Sequence, residues 1–547
     1  MANHAIKHTF RGVLYIPTAW VSLCLFTTKA VEGLELRNRQ KPDTPLFFCS
    51  QRNINLISPI WGVWRATEDI RMLFNSWMFV GLVMATLLVY YLPIMKKQQV
   101  YTLLVASFVF YAYDSLALLV LLLASGIINA VSSYGARFWK KPRLFATTGI
   151  VVNLSLLALF KYGGLISNSF LDTSDGLGKL LCTLPLPLGI SFYTFSGISL
   201  VVDAYRGRYD EGLDGQLPSF YQHLKNTLLY ICFFPKLLAG PIAKSKDFFN
   251  EIDIKSFCHI NWKFVFKSLV VGYFLKMVIA DNLKDFTFWM AYPYFEHRGT
   301  GTLILMVFGY SVQMFADFAG YSLIAIGVAA LFGYRLPTNF NFPYISTSFR
   351  EFWKRWHITL SQFLMEYLYI SLGGNRKGKV RTYLNLLLTM MLGGLWHGAA
   401  WSYLVWGTYH GLCLVIERMV CGRRDNCVHI GKHDLGLKIS RYLSMTLVFI
   451  MVSFGWLLFM LPHFDEAVLY VKCIFTNYGS IIFIDPKLLP IIIYAIPVII
   501  YHALYCYRNN HWVQRFVLRY DYVLYGIMLF LILTNSGSVS SFVYFQF

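Results

Sequence analysis

Gly393-Gly394-Leu395-Trp396-His397-Gly398-Ala399-Ala400-Trp401 joins two apolar runs, 381–395 and 399–418. An imidazole in hydrocarbon surroundings is expensive, so an ionisable residue there marks a functional site by default. Small residues on both sides of it let neighbouring backbones and a ligand approach closely. Two readings of this segment stand open. His397 is the chemical centre of a membrane-embedded enzyme, or it is a packing histidine bonded to a neighbouring helix.

Runs of membrane-spanning character recur on both sides of this segment and continue almost to the end of the chain. They fall near 74–94, 99–112, 114–133, 143–160, 185–203, 226–243, 263–280, 301–316, 318–333, 359–372, 381–395, 399–418, 441–461, 489–507 and 521–535. Of the 547 residues, 56% are hydrophobic and only 14% charged, where a soluble domain carries about 25% charged residues. The fold class is therefore an all-α polytopic membrane protein. Several runs are shorter than the roughly 20 residues a full crossing needs. Those near 185–203, 226–243 and 359–372 are expected to be re-entrant or interfacial, which requires that they line a protein cavity.

Lys and Arg total 48 against 28 Asp and Glu, a net charge of +20. The basic residues sit in short loops between spans, as the positive-inside rule produces, so the charge does not imply a nucleic-acid partner. That rule places the loops at Lys96-Lys97, 137–143, 418–441 and 508–519 in the cytoplasm. The loop 462–488 and the tail from Ser536 then lie outside. Residues 29–73 carry seven basic residues yet should precede a span that begins outside. The functional module is accordingly expected to span 72–547, with 1–71 an extension that holds at most one extra span. The ten cysteines show no paired framework. Cys421, Cys427, His429 and His433 share one loop without a standard zinc spacing, so no metal is expected.

A second informative segment is Phe349-Arg350-Glu351-Phe352-Trp353-Lys354-Arg355-Trp356-His357-Ile358-Thr359-Leu360-Ser361. Read as one helix, it sets Phe349, Phe352, Trp353, Trp356, Leu360 and Phe363 on one face. Arg350, Lys354, His357 and Ser361 fall on the other. Such a basic face suits a phosphate-rich donor such as a coenzyme A, or equally anionic lipid headgroups. The Gly-rich basic turn Leu372-Gly373-Gly374-Asn375-Arg376-Lys377 follows, able to hold phosphates or to anchor the loop on headgroups. Asp317 lies at membrane depth, either orienting a His or Arg or closing a buried ion pair. Phe234-Pro235-Lys236-Leu237-Leu238-Ala239-Gly240-Pro241-Ile242 has the form of a broken helix lining a cavity, with Lys236 either snorkelling or functional.

Taken together, these segments resemble the membrane-bound O-acyltransferase family, and within it the bacterial alginate O-acetyltransferase membrane-subunit branch. The resemblance rests on Leu186 to Phe195, the 234–242 run, Asp317-Phe318-Ala319-Gly320-Tyr321, and Phe340 to Tyr344. It continues through Glu351 to His357, Tyr367 to Arg376, Leu392 to Ala400, Trp406 to Gly411, and Phe542 to Phe547. It covers about 72–547 in the same order. Two positions depart from the branch: Leu323 stands where an Asp is common, and Lys236 where Gln or His is common.

The resemblance implies a ring of transmembrane and re-entrant helices around a central tunnel, in a multi-pass protein of the bacterial inner (cytoplasmic) membrane. It implies an O-acyltransferase with acetyl-CoA as acyl donor, no bound cofactor, and an extracytoplasmic polysaccharide as final acceptor. A periplasmic serine-hydrolase-like acetyltransferase is the implied partner. His397 and His357 are the candidate catalytic residues, His397 in the tunnel as general base and His357 at its cytoplasmic mouth. Arg350, Lys354 and Arg376 are the candidate donor-binding residues, and Asp317, His410 and Asn375 the supporting ones. The rival from a different class is a transporter or flippase of an envelope precursor. It predicts internal repeats, and no convincing repeat is found.

Overall fold

The computed structural model describes residues 72–173, 175–208, 219–422, 435–478, 485–538 and 542. The expected extension 1–71 and the Cys427–His433 part of the cysteine–histidine loop lie outside the described residues. Among the described residues there is helix and no strand. The principal helices are α1 (Trp77–Tyr90), α2 (Gln99–Ala112), α3 (Leu116–Phe138), α4 (Pro142–Phe170), α5 (Ile190–Tyr205), α6 (Phe220–Cys232) and α7 (Trp262–Tyr273). They continue as α8 (Thr300–Leu331), α9 (Phe349–Arg355), α10 (Ile358–Phe363), α11 (Gly378–His397), α12 (Trp401–Cys421), α13 (Leu435–Gly455), α14 (Pro490–Cys506) and α15 (His511–Thr534). Six helices among the described residues are long and apolar enough to cross a membrane. The molecule is an all-α, multi-pass membrane protein.

Local chemistry sets the helix starts. Ser76 and Ser115 cap α1 and α3 by accepting the N–H of Phe79 and Leu118 at 3.2 and 3.4 Å. Pro142 opens α4, where its missing N–H costs nothing. Gly189 precedes α5 at φ 72°, and a Cβ there would lie 2.5 Å from Leu237 O.

The centre of the fold is α8. The runs 301–316 and 318–333, expected as two spans, form this single helix of 32 residues, about 48 Å long. Asp317 does not end a span because its charge is paired inside the protein. Lys276, in the π-helical turn Phe274–Ala280 that follows α7, reaches Asp317 Oδ1 at 2.8 Å and Asp281 Oδ1 at 2.7 Å. Nearly every residue of α8 is buried, on all sides of the helix, as expected for a helix surrounded by protein rather than lipid.

The ends of α8 show which loops share a level. At its C-terminal end, Tyr90 and Tyr91 donate to Phe332 O and Leu331 O at 3.1 and 2.8 Å, next to the Lys96-Lys97 loop. At its N-terminal end, Thr300 Oγ1 donates to Ile474 O at 2.8 Å, and Arg298 pairs with Asp485 at 2.9 Å. The loop 462–488 is therefore at the opposite end from Lys96-Lys97, the relation expected from charge. The tail differs from its expectation of staying at that end. Gly537 N–H donates to Met277 O at 2.9 Å. Phe542 is nevertheless buried against Tyr321 and Phe318, with ring centroids 4.6 and 5.4 Å away. Tyr321 lies 21 residues along α8 from its N-terminal residue Thr300, so the chain turns inward after α15.

Candidate active site

His397 is the last residue of α11, and Gly398 breaks the helix in extended conformation. The next helix, α12, returns antiparallel because glycines let the two backbones touch. A Cβ on Gly394 would lie 2.8 Å from Gly407 Cα, and one on Gly407 would lie 3.0 Å from Gly394 Cα. A helix end leaves its last carbonyls without intrahelical partners, and in an apolar interior each needs a donor. The donors come from α4. Tyr162 Oη donates to Leu395 O at 2.8 Å, and Lys161 Nζ to Trp396 O and His397 O at 2.5 and 3.2 Å. The third Lys161 proton reaches Ser191 Oγ on α5 at 3.2 Å. Lys161 was missed by the sequence reading, although a lysine at membrane depth in Leu159-Phe160-Lys161-Tyr162 is the same kind of signal as His397.

The His397 ring is packed by Trp396, Trp406 and Phe459, with centroids 5.1, 5.0 and 5.4 Å away. Together with Lys161, Trp396 and a wall formed by Leu186–Phe192 and Leu238 it lines a cleft of about 470 Å³. Leu188 and Leu238 of that wall also line a second, smaller cleft that reaches Asp114, in the turn between α2 and α3. The broken-helix segment Phe234–Leu237 is thus a neighbour of the site, as its Pro/Gly bracketing suggested.

His357 is where the helical-wheel reading fails. The chain does not run as one helix from 349 to 363. It stops at Arg355, and His357 takes the left-handed conformation (φ 42°) before α10 begins. The turn swings the imidazole away from Arg350 and Lys354 and into the interior. There it is fully buried, 4.6 Å from the Phe318 ring and 6.4 Å from His397. Neither of its ring nitrogens makes a hydrogen bond. The expected place at the mouth is thereby corrected to one beside His397. Arg350 and Lys354 stay with α9, Lys354 exposed and Arg350 next to Glu417, which accepts the N–H groups of Phe349 and Arg350.

The supporting candidates separate. His410 is buried one turn along α12 from Trp406, whose ring lies 4.8 Å from it and 5.0 Å from His397, so Trp406 is the shared neighbour of both imidazoles. Asp317 belongs to the Lys276–Asp281 cluster described above, so the ion-pair alternative holds and its expected role beside an imidazole is corrected. Asn375 and Arg376 are exposed in the turn before α11, about 30 Å along that helix from His397. Asn375 is thereby corrected from a supporting residue of the imidazole to a surface position. The side chain that pins this turn is Asn385, donating to Gly374 O and Leu372 O at 2.9 and 3.2 Å. Lys236 does not snorkel: it is 5% exposed, over the Tyr230 ring at 4.1 Å. Among the described residues no His/Cys/Asp/Glu cluster suits a metal ion.

An imidazole at a helix end that lines a narrow cleft, with a second buried imidazole 6.4 Å away, inside a helical membrane protein, is an arrangement suited to membrane-embedded group transfer. The comparisons give the family. Residues 208–455 match the model of the membrane-bound O-acyltransferase family. The chain is 37% identical to the probable alginate O-acetylase AlgI of Azotobacter vinelandii over 410 residues, 72% of this chain and 76% of that one. It is 31% identical to the peptidoglycan O-acetyltransferase of Helicobacter pylori over 398 residues, 68% and 72% of the two chains. It is also 31% identical to the teichoic acid D-alanyltransferase of Bacillus subtilis over 238 residues, 42% and 58% of the two. The protein belongs to the membrane-bound O-acyltransferase family and is an O-acyltransferase.

Proposed function

We propose that this chain moves acetyl groups from cytoplasmic acetyl-CoA across the inner membrane for O-acetylation of an extracytoplasmic polysaccharide. An alginate-like polymer or peptidoglycan fits the relatives' names. The observation that carries the reading is the buried His397 at the end of α11, 6.4 Å from His357 and in the wall of a solvent-connected cleft. In the reaction, a hydroxyl oxygen attacks the thioester carbonyl. The carbon–sulfur bond breaks as the carbon–oxygen bond forms. His397 takes the hydroxyl proton and returns it to the departing thiolate, so the protein ends unchanged. His357, buried beside His397, is assigned to steady the acyl group during this exchange. Arg350 and Lys354 suit the donor's phosphates at the surface end of α9. Arg376 lies too far along α11 to touch the acyl group, so any contact it makes is with the remote end of the donor.

The cleft beside His397 is narrow, which favours hand-over of the acetyl group to a separate periplasmic serine-hydrolase-like acetyltransferase over direct entry of a polymer. The test is transfer of label from radioactive acetyl-CoA in membrane vesicles that hold the full chain. Label is expected in ester linkage with the intact protein and absent with His397→Ala. Equal labelling by both proteins would overturn the reading.

A further inference from the structure

A third cavity lies between α5 and the broken helix, with Phe192 shared between it and the His397 cleft. It is small, and its polar lining is Lys236, Tyr193 and Ser196.

Its chemistry is one-sided. The Lys236 ammonium is held only by ring faces, Tyr230 at 4.1 Å and Phe248 at 5.5 Å. Among the described residues no carboxylate or carbonyl oxygen pairs with it. The Tyr193 hydroxyl is buried and makes no hydrogen bond. Ser196 is already committed, donating to Phe192 O at 3.0 Å. The backbone N–H groups of the same wall are also used: Gly240 N–H goes to Lys236 O at 3.2 Å and Ile242 N–H to Thr359 Oγ1 at 3.1 Å. What remains among the polar groups of the lining residues is an ammonium held by ring faces and a phenol O–H that donates to nothing. The titratable neighbours of Lys236 include the Tyr230 phenol, whose ring it overlies, and Cys232, a buried thiol.

A buried donor left without an acceptor costs about 1–3 kcal/mol, and an unpaired buried charge costs more. Two such residues in the lining of one cavity select an acceptor ligand. The remaining wall is apolar, including Ile231, Leu237 and Pro241, so a bulky or multivalent anion would be poorly solvated there. We propose that Lys236 and Tyr193 bind one compact monovalent anion, a halide or a short carboxylate, beside the acyl-transfer site. Lys236 supplies the countercharge and Tyr193 the directional hydrogen bond. The inference stands on this cavity and is independent of which acyl group the enzyme moves.

The test is thermal unfolding of the purified full chain in detergent, at fixed ionic strength, with chloride or acetate exchanged against gluconate. A ligand that binds the folded state alone raises the transition temperature with its concentration. A saturable rise is expected with chloride, acetate or both, which also tells halide from carboxylate. Lys236→Met should abolish the rise. Tyr193→Phe removes one oxygen from a packed ring and should raise the half-saturating concentration about tenfold. It also serves as the test variant if Lys236→Met does not fold. Two results would overturn the proposal. One is an intact protein that unfolds identically in all three anions, as a cavity holding water alone would. The other is an anion response that survives both substitutions unchanged.

Discussion

Lys161 places three hydrogen bonds on one ammonium, two to the end of α11 and one to α5. It touches the backbone of His397 rather than the imidazole, so it is a positioning residue. Lys161→Met would leave two buried carbonyls without donors, each worth about 1–3 kcal/mol. It would also let the histidine drift, and a displacement of roughly 1 Å can cost about 100-fold in turnover. The prediction is a fall in kcat of that order with little change in KM for the donor. Steady-state kinetics at matched folded protein check it, and a variant that is merely less stable, with normal kcat, would contradict it. At this scale His397 was legible because a histidine amid glycines at membrane depth is costly and needs a reason. Lys161 carried the same signal, but the run read as ending at 160 left it out. The place of His357 was not legible. A helical wheel assumes continuous αR backbone, and one residue at φ 42° voids it.

The α11–α12 pair holds the site through glycine contacts, and helix pairs that pack this closely have no space for a methyl group. Gly394→Ala should push the helices apart, destabilising the fold by about 1–3 kcal/mol and abolishing transfer. Gly81→Ala is the control, since a Cβ on Gly81 of α1 meets nothing within 4 Å. That substitution should be neutral or slightly stabilising, by up to about 1 kcal/mol. Unfolding midpoints of the two variants in detergent check the contrast, and equal effects would contradict it. The break in 226–243 was readable from the Pro and Gly of Phe234–Ile242, and the short helix within 359–372 from run length, whereas most of 185–203 forms one continuous helix, α5. The fusion of two expected spans into α8 was not readable. Asp317 looked like a boundary because its partner, Lys276, is 41 positions away in sequence and brought near only by the fold.

For the whole molecule, apolar composition and basic loops were sufficient to read an all-α, multi-pass protein, and packing agrees that the Lys96-Lys97 loop and the 462–488 region lie at opposite ends of α8. The inward turn of the tail had no such signature, because Phe542 is one phenylalanine in an aromatic-rich chain and only its burial against Tyr321 distinguishes it. Opposite ends imply opposite sides of the membrane. Lys97→Cys and Lys487→Cys, each placed singly in a cysteine-free chain, should react with a membrane-impermeant maleimide from opposite faces. Lys487→Cys is expected to react in intact cells, and Lys97→Cys only in inverted vesicles. Labelling of both from one face would contradict the arrangement and with it transfer across the membrane. The central claim is that buried His397 transfers acyl groups to an envelope polymer. Its most direct test is the O-acetyl ester content of isolated envelope polysaccharides. Cells with the intact protein, without it, and with His397→Ala at matched membrane abundance would be compared. Ester lost equally in the last two is the predicted result. Full ester with His397→Ala but none in the deletion would make His397 a packing residue and contradict the account.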